Sequence, residues 1–384
     1  MSITEPVMTG STIVLIMAGG TGGHIFPALA VAEVLKQQGA SIEWLGTKKG
    51  MEARLVPEYG YPVNYIDISG LRGKGVKTLL TMPFKLLKAL MQTLGVYRRI
   101  KPDVVLGMGG FVTGPGGLVA WLIRKPLVLH EQNAIAGLTN KLLFKMADKV
   151  FSAFPGAFKT SDKLSIIGNP VRKEIAKMPA PKPRLEQKWT QNQHEKSCLN
   201  ILVIGGSLGA MALNETIPQA LIIMMQNSFL QESDFRCIDI RHQSGEKHLE
   251  KTMANYNNLE QYNEIHYEVV PFIKDMASSY QWADLVICRS GALTVSEIAA
   301  AGLASILVPF PYAVDDHQTA NAAFLADQGA AILIQQKDLE KQQLAELLSA
   351  LNKQKIMTMS VKARQLSISN AAEIVARECL DLAG

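Results

Sequence analysis

Short apolar-rich runs recur along this chain, separated by stretches of helix length. In the first half these runs are Ile13–Met17, Ser41–Leu45, Val104–Leu106, Leu127–Leu129 and Lys149–Ser152. They read as strands, and an unbroken apolar run is the mark of a strand buried on both faces. Between them, Pro27–Gln38, Lys77–Tyr97, Gly116–Ile123 and Ala136–Ala147 read as helices, with Pro83 a point where Lys77–Tyr97 can break. A strand–helix–strand series of this kind implies a parallel α/β sheet. A second series starts at Asn200 and runs to about Ala350, and Ala363–Leu382 reads as a closing amphipathic helix. Residues 177–197, proline-rich and then polar, read as a linker or surface insertion.

Each series opens with a strand that ends in glycine. The first reads Ile13-Val-Leu-Ile-Met-Ala-Gly-Gly-Thr-Gly-Gly-His24, and the second Ile201-Leu-Val-Ile-Gly-Gly-Ser-Leu-Gly-Ala210. Glycine there lets a ligand approach the backbone, and the helix start that follows offers N–H groups to an anion. Twin units predict two Rossmann-like domains facing a shared cleft at their strand C-termini. Neither loop matches the dinucleotide fingerprint G-x-G-x-x-G, and no Walker A pattern occurs.

Composition changes this picture in two respects. At 384 residues and 48% hydrophobic, the chain has ample material for two cores. The net charge of +5 is unevenly placed, since residues 1–173 hold 21 Lys and Arg against 10 Asp and Glu. A basic half suits nucleic acid, an anionic membrane or a phosphorylated substrate. No nucleic-acid motif accompanies it. From Ser69 to Pro102 there are eight basic residues and no acidic one, interleaved with Leu79, Leu80, Phe84 and other apolar residues. Lys85 and Lys88 beside that apolar face form the pattern of an interfacial helix. Cys198, Cys237, Cys288 and Cys379 lack metal-like spacing and imply no disulfide framework, which fits a reducing, cytosolic setting. The N-terminus lacks the basic region of a signal peptide, and no uncharged apolar run reaches spanning length. A soluble or peripheral protein is expected.

Several segments carry candidate chemistry. His24 lies near a helix start, where the positive helix end keeps an imidazole neutral and able to accept a proton. In Arg289-Ser-Gly-Ala-Leu-Thr-Val-Ser-Glu297 the turn Ser290–Leu293 can present N–H groups to a diphosphate, and Glu297 can accept from two vicinal hydroxyls. The pair Asp315-Asp316 has no further metal-ligand spacing, and helix capping is its simpler use. Gly107-Met-Gly-Gly-Phe-Val-Thr-Gly-Pro-Gly-Gly117 and His130-Glu-Gln-Asn133 should open at the same sheet edge as His24.

Taken together, Gly19–Pro27, His130–Asn133, Gly168-Asn-Pro-Val-Arg172, Gly205–Ala210, Arg289–Glu297 and Asp316-His-Gln318 resemble the MurG family of peptidoglycan N-acetylglucosaminyltransferases. The resemblance runs in order over essentially the whole chain. It implies an α/β GT-B fold with residues 1–173 as an acceptor- and membrane-binding domain and 174–198 as linker or insertion. Residues 199–362 would form the UDP-sugar donor domain, with helix 363–384 packing back on the first. It implies inverting transfer of N-acetylglucosamine from UDP-N-acetylglucosamine to the 4-hydroxyl of the muramoyl sugar on undecaprenyl diphosphate, without cofactor or metal. His24 would be the base. Donor contacts would come from Thr21, Gly22, Gly23, Asn133, Arg172, Ser207, Phe272, Ile273, Met276, Ala292, Leu293, Thr294, Glu297 and Gln318. Acceptor contacts would come from Gly19, Gly20, Gly109, Gly110, Thr113 and Gly114. The expected location is the cytoplasmic face of a bacterial inner membrane, without nucleic acid as a partner. The alternatives are another GT-B UDP-sugar transferase, a UDP-sugar epimerase, and a nicotinamide oxidoreductase. The failed fingerprints and the lack of a clear acidic residue ending the second strand count against the last.

Overall fold

A computed structural model describes residues 11–68, 76–190, 197–206, 208–227 and 233–384, with the side chains of 76–81 left aside. The chain divides into two compact units. The first joins residues 1–172 to 369–384, and the second spans 173–368.

The first unit is a seven-stranded parallel sheet, ordered β3-β2-β1-β4-β5-β6-β7. Its strands are β1 (Ile13–Met17), β2 (Ser41–Gly46), β3 (Val63–Tyr65), β4 (Val104–Gly107), β5 (Leu127–Glu131), β6 (Lys149–Ser152) and β7 (Leu164–Ile166). The helices are α1 (Gly22–Gln37), α2 (Glu52–Glu58), α3 (Val76–Ile100), α4 (Thr113–Leu122) and α5 (Leu138–Leu143). Strand alternation explains the two-sided core. Val14 and Ile16 join one apolar cluster, while Leu15 and Met17 join another on the opposite face. Helix α3 runs unbroken through Pro83.

The second unit is a six-stranded parallel sheet, ordered β10-β9-β8-β11-β12-β13. Before the sheet come α6 (Lys173–Ala176) and α7 (Pro181–Thr190). The sheet holds β8 (Cys198–Ile204), β9 (Cys237–Gln243), β10 (Ile265–Val270), β11 (Leu285–Cys288), β12 (Ala304–Leu307) and β13 (Ala331–Leu333). Its helices are α8 (Met211–Gln226), α9 (Leu249–Tyr256), α10 (Met276–Trp282), α11 (Ala292–Ala301), α12 (His317–Ala326), α13 (Lys341–Ser349) and α14 (Lys353–Gln365). The last helix, α15 (Ala371–Ala383), packs on α1 and β4 of the first unit.

Three sequence expectations need correction. The proline-rich segment is not merely a linker, because Pro181–Thr190 is helical and packs on α14. Proline at the first helical position costs no hydrogen bond, since that N–H has no intrahelical acceptor. The single helix expected at Ala363–Leu382 is two, α14 and α15, separated at Leu366–Asn370. Cys198 and Cys237 are paired as a disulfide, because β8 and β9 register these two first residues opposite each other.

Candidate active site

In both sheets the strand order reverses beside the first strand, between β1 and β4 and between β8 and β11. Crevices at such reversal points are where open α/β sheets bind ligands. Each glycine loop therefore emerges at the reversal of its own sheet.

In the first unit the loop after β1 interlocks with the loop after β4. Gly19 N–H donates to the Gly109 carbonyl at 3.3 Å. Gly109 and Gly110 have φ of +102° and +87°, and a Cβ on Gly110 would lie 2.3 Å from the Gly19 oxygen. Only glycine fits there. His24 sits in the first turn of α1, and its Nδ1 donates to the Gly19 carbonyl at 3.1 Å. With Nδ1 as the donor, Nε2 is the remaining ring nitrogen, which a Cβ at Gly109 would approach to 3.0 Å.

Beneath this loop lies Glu52, fully buried. Its Oε2 accepts from Gly20 N–H at 3.0 Å, and its Oε1 accepts from the N–H and hydroxyl of Thr47, each at 2.8 Å. The N–H groups of Gly19 and Gly20, two of the expected acceptor-binding residues, are thus both engaged within the protein. Thr113, another of them, is buried with its hydroxyl directed to the Met17 carbonyl. Gly22 and Gly23 open α1, where the first N–H groups have no helical acceptor.

A polar network braces the neighbouring strand ends. His130 Nε2 donates to the Gly168 carbonyl at 3.0 Å, and Asn169 donates to the Gln132 carbonyl at 3.1 Å. Gln132 donates in turn to Met108 O at 2.8 Å. Burial pushes the His130 imidazole down to about 4, so it is a neutral brace and not a second base. Buried Glu131 accepts from the Asn133 and Gly137 N–H groups and from Asn140, which sets the loop carrying Asn133. Arg172 lies with its guanidinium 5.4 Å from the centre of the Phe26 ring.

In the second unit the loop after β8 requires glycine at Gly209, where a Cβ would lie 1.9 Å from the Ser244 oxygen. Ser207 lies outside the described residues. Buried Gln243 donates to the Gly206 carbonyl at 2.8 Å and accepts from Ile273 N–H at 3.0 Å. One amide thus ties the glycine loop to the segment of Phe272 and Ile273. Phe272 is 51% exposed, while Met276 begins α10 and is buried.

Helix α11 starts after Gly291, and its first turn is Ala292, Leu293 and Thr294. A cavity of about 430 Å³ opens beside it, lined among others by Gly205, Gly206, Arg289, Thr294 and Gln318. Gln318 accepts from Phe310 N–H through Oε1 at 2.9 Å, which leaves Nε2 as the end that can donate. Ser290 directs its hydroxyl to the Gln318 carbonyl. Arg289 donates to the Val308 and Pro309 carbonyls, and burial lowers its pKa. One turn along α11, Glu297 is 3% exposed and accepts from Tyr280 O–H at 3.2 Å.

The far end of α11 is also held. Gly302 terminates it in a left-handed conformation, φ +60°. Arg184 donates to the Ala301 and Gly302 carbonyls at 2.6 and 2.8 Å, and Arg364 donates to Ala300. Arginine at a helix C-terminus complements its negative end. Asp316 stands at the N-cap position of α12, where its carboxylate accepts from the Thr319 hydroxyl and not from a helix N–H. Among the described residues no three His, Cys, Asp or Glu side chains are grouped to hold a metal ion.

A second surface feature belongs to the first unit. Phe84, Leu87 and Met91 of α3 are exposed, and so are Trp121 and Leu122 of α4 and Leu142 of α5. Helix α4 packs against both α3 and α5. Lys85 of α3 and Lys141 of α5 are exposed, as are Arg124 and Lys145 just beyond α4 and α5. Lys88 is exposed and paired with Asp67 at 2.7 Å. Leu79 and Leu80 have side chains outside the described residues. No helix among the described residues is long and apolar enough to cross a membrane.

Sequence reading missed Glu52, Gln243, Tyr280 and Arg184. The signal for Glu52 was present, a glutamate opening the helix after β2, and its target is the Gly20 amide.

Comparison with known proteins follows the same division. Residues 14–152 match the glycosyltransferase family 28 N-terminal domain, and residues 200–377 match the family 28 C-terminal domain. A Burkholderia ambifaria protein is 50% identical over 96% of both chains. A Cupriavidus metallidurans protein is 49% identical over 98% of this chain and 99% of its own. Both are named UDP-N-acetylglucosamine–N-acetylmuramyl-(pentapeptide) pyrophosphoryl-undecaprenol N-acetylglucosamine transferase. The crystal structure of Acinetobacter baumannii MurG is similar at 43% identity and a TM-score of 0.79, covering 96% of this chain and 99% of that one. A UDP-GlcNAc 2-epimerase from Neisseria meningitidis shares the fold at 14% identity and a TM-score of 0.63.

Proposed function

Because this chain belongs to the MurG family of N-acetylglucosaminyltransferases, we propose that it glycosylates the lipid-linked muramoyl sugar that its relatives' name specifies. The donor is UDP-N-acetylglucosamine, and the product is the disaccharide on undecaprenyl diphosphate, lipid II. The observation that carries the donor half is helix α11. Its N-terminal turn opens on a cavity, and a buried carboxylate held by Tyr280 lies one turn behind. The positive end of a helix start suits a diphosphate, and a fixed carboxylate suits a ribose diol. The reaction supported is a single inversion at the anomeric carbon. The acceptor 4-hydroxyl attacks as the C1–O bond to UDP breaks, and His24 Nε2 takes the hydroxyl proton. The N-terminal turn of α11 meets the charge that develops on the leaving diphosphate, and the chemistry needs no metal.

The acceptor's polyprenyl chain stays in a bilayer, so the enzyme must dock on a membrane. The apolar patch of α3, α4 and α5, with its flanking lysines and arginine, supports a peripheral site on an anionic surface, the cytoplasmic face of the inner membrane. Nucleic acid has no part in this reading.

Purified protein with UDP-N-acetylglucosamine, a short-chain lipid I analogue and chelator tests the reading. The disaccharide lipid and UDP are expected in equal amounts. Formation of UDP-N-acetylmannosamine without any acceptor would favour the epimerase instead.

A further inference from the structure

We propose that Glu52 is a positioning residue for His24 and acts through a single peptide unit. The inference rests on His24 being the base. Gly20 N–H and Gly19 C=O belong to the same peptide group. Its N–H end donates to Glu52 Oε2 at 3.0 Å, and its C=O end accepts from His24 Nδ1 at 3.1 Å. The carboxylate and the imidazole are thus joined in series, carboxylate to peptide to ring.

Three features give this arrangement force. First, the carboxylate cannot turn away, because Thr47 donates to Oε1 through both its N–H and its hydroxyl. Second, the space beneath the loop is shaped for it. A Cβ on Gly50 would lie 2.1 Å from Glu52 Oε2, and one on Gly19 would lie 2.8 Å from Oε1. Third, the other side of the ring is bounded by Gly109, whose missing Cβ lets the Cδ2–Nε2 edge lie against backbone.

The physics is that of hydrogen bonds in series. An N–H held by a carboxylate polarises its peptide and strengthens the carbonyl as an acceptor. That carbonyl accepts only a donor, so it selects the tautomer protonated at Nδ1 and leaves Nε2 as the proton acceptor. No proton passes along the chain; the carboxylate orients the ring and fixes its tautomer. In this sequence the glutamate is 28 residues beyond the histidine, and only the sheet brings them to one peptide.

The test is Glu52→Gln in the full chain. Glutamine has one oxygen and one NH₂ group, so it cannot accept from Thr47 and Gly20 together. Three quantities are read: UDP affinity as a check on folding, steady-state kcat and KM, and the His24 ring tautomer by long-range ¹H–¹⁵N NMR. Unchanged UDP affinity and donor KM are expected, with kcat lowered about tenfold to a hundredfold, the cost of a misplaced catalytic group. The ring signal should move from the Nδ1–H tautomer to a mixture. In a His24→Ala background, Glu52→Gln should lower kcat less than about twofold, because effects through one group are not additive. An unchanged tautomer, or a full further loss in that background, overturns the inference while leaving the base reading intact. Near-normal turnover of His24→Ala alone overturns the base reading, and this inference with it. If Glu52→Gln does not fold, Glu52→Asp keeps the charge, shortens the reach by one methylene, and carries the same tautomer prediction.

Discussion

Replacing Glu297 with alanine should weaken UDP binding through the ribose alone. Glu297 is 3% exposed and one of its oxygens already accepts from Tyr280. Its carboxylate is therefore fixed before ligand arrives, and little ordering is needed on binding. A hydrogen bond to a charged group contributes about 1.5–3 kcal/mol. Since about 1.4 kcal/mol is a tenfold change, Kd for UDP should rise roughly 10- to 150-fold. Tyr280→Phe leaves the carboxylate in place but unanchored, and should cost about 1 kcal/mol, roughly fivefold. Calorimetric titration in chelator measures both. A second ligand makes the test specific: UDP lacking its 2′- and 3′-hydroxyls should bind wild type and Glu297→Ala alike. Weakening of that analogue by the same factor as UDP, or no change for UDP, would refute the ribose assignment.

Three further expectations follow from buried groups and from the apolar patch. His130 and His242 are held neutral by burial, pushed down to about 4 and about 3 from an ordinary 6.5. The unfolded chain binds their protons more readily. Stability is therefore full above about pH 6.5 and falls as pH drops towards 4 and then 3, by about 3 kcal/mol for His130. Urea midpoints at pH 7 and 4.5 check this, and an undiminished decline in His130→Asn would count against it. Arg184→Leu leaves the Ala301 and Gly302 carbonyls unpaired, so it should destabilise the second unit by about 2–4 kcal/mol; a loss below about 1 kcal/mol would show water replacing the guanidinium. Trp121→Ser with Leu142→Ser should abolish sedimentation with anionic vesicles while leaving UDP affinity unchanged, and unaltered sedimentation would move the docking surface elsewhere.

The parts legible in the sequence are those fixed by local chemistry. Val14, Leu15, Ile16 and Met17 are each fully buried, so their apolar run declares a two-sided strand. The glycines are legible because the turns leave no room for a side chain. Long-range partners are not legible. Gln243 lies 37 residues from Gly206, and nothing near it in sequence marks its role. The Cys198–Cys237 pair depends on strand register, which spacing does not reveal. Helix α7 was hidden by Pro181 and Pro183, residues that mark a linker in one context and a helix start in another. The break at Leu366–Asn370 escaped notice because apolar residues continue on both sides of it.

The two glycine loops occupy the same place in their sheets and are finished in opposite senses. In the second unit, Gln243 approaches the loop from its carbonyl side, donating to Gly206 O, and α11 beside it turns its N-terminal N–H groups towards a cavity. Positive ends therefore face the cavity. In the first unit the N–H groups of Gly19 and Gly20 point inward, to Gly109 and Glu52, and the Gly19 carbonyl holds the ring of His24. What that loop holds is a histidine whose Nδ1 is engaged and whose Nε2 is the remaining ring nitrogen. Inverting transfer needs these two services. The departing diphosphate needs fixed positive ends, and the attacking hydroxyl needs an acceptor for its proton. One strand–glycine–helix motif supplies either, depending on whether groups beneath the loop, here Glu52 and the Gly109 carbonyl, take its amides first.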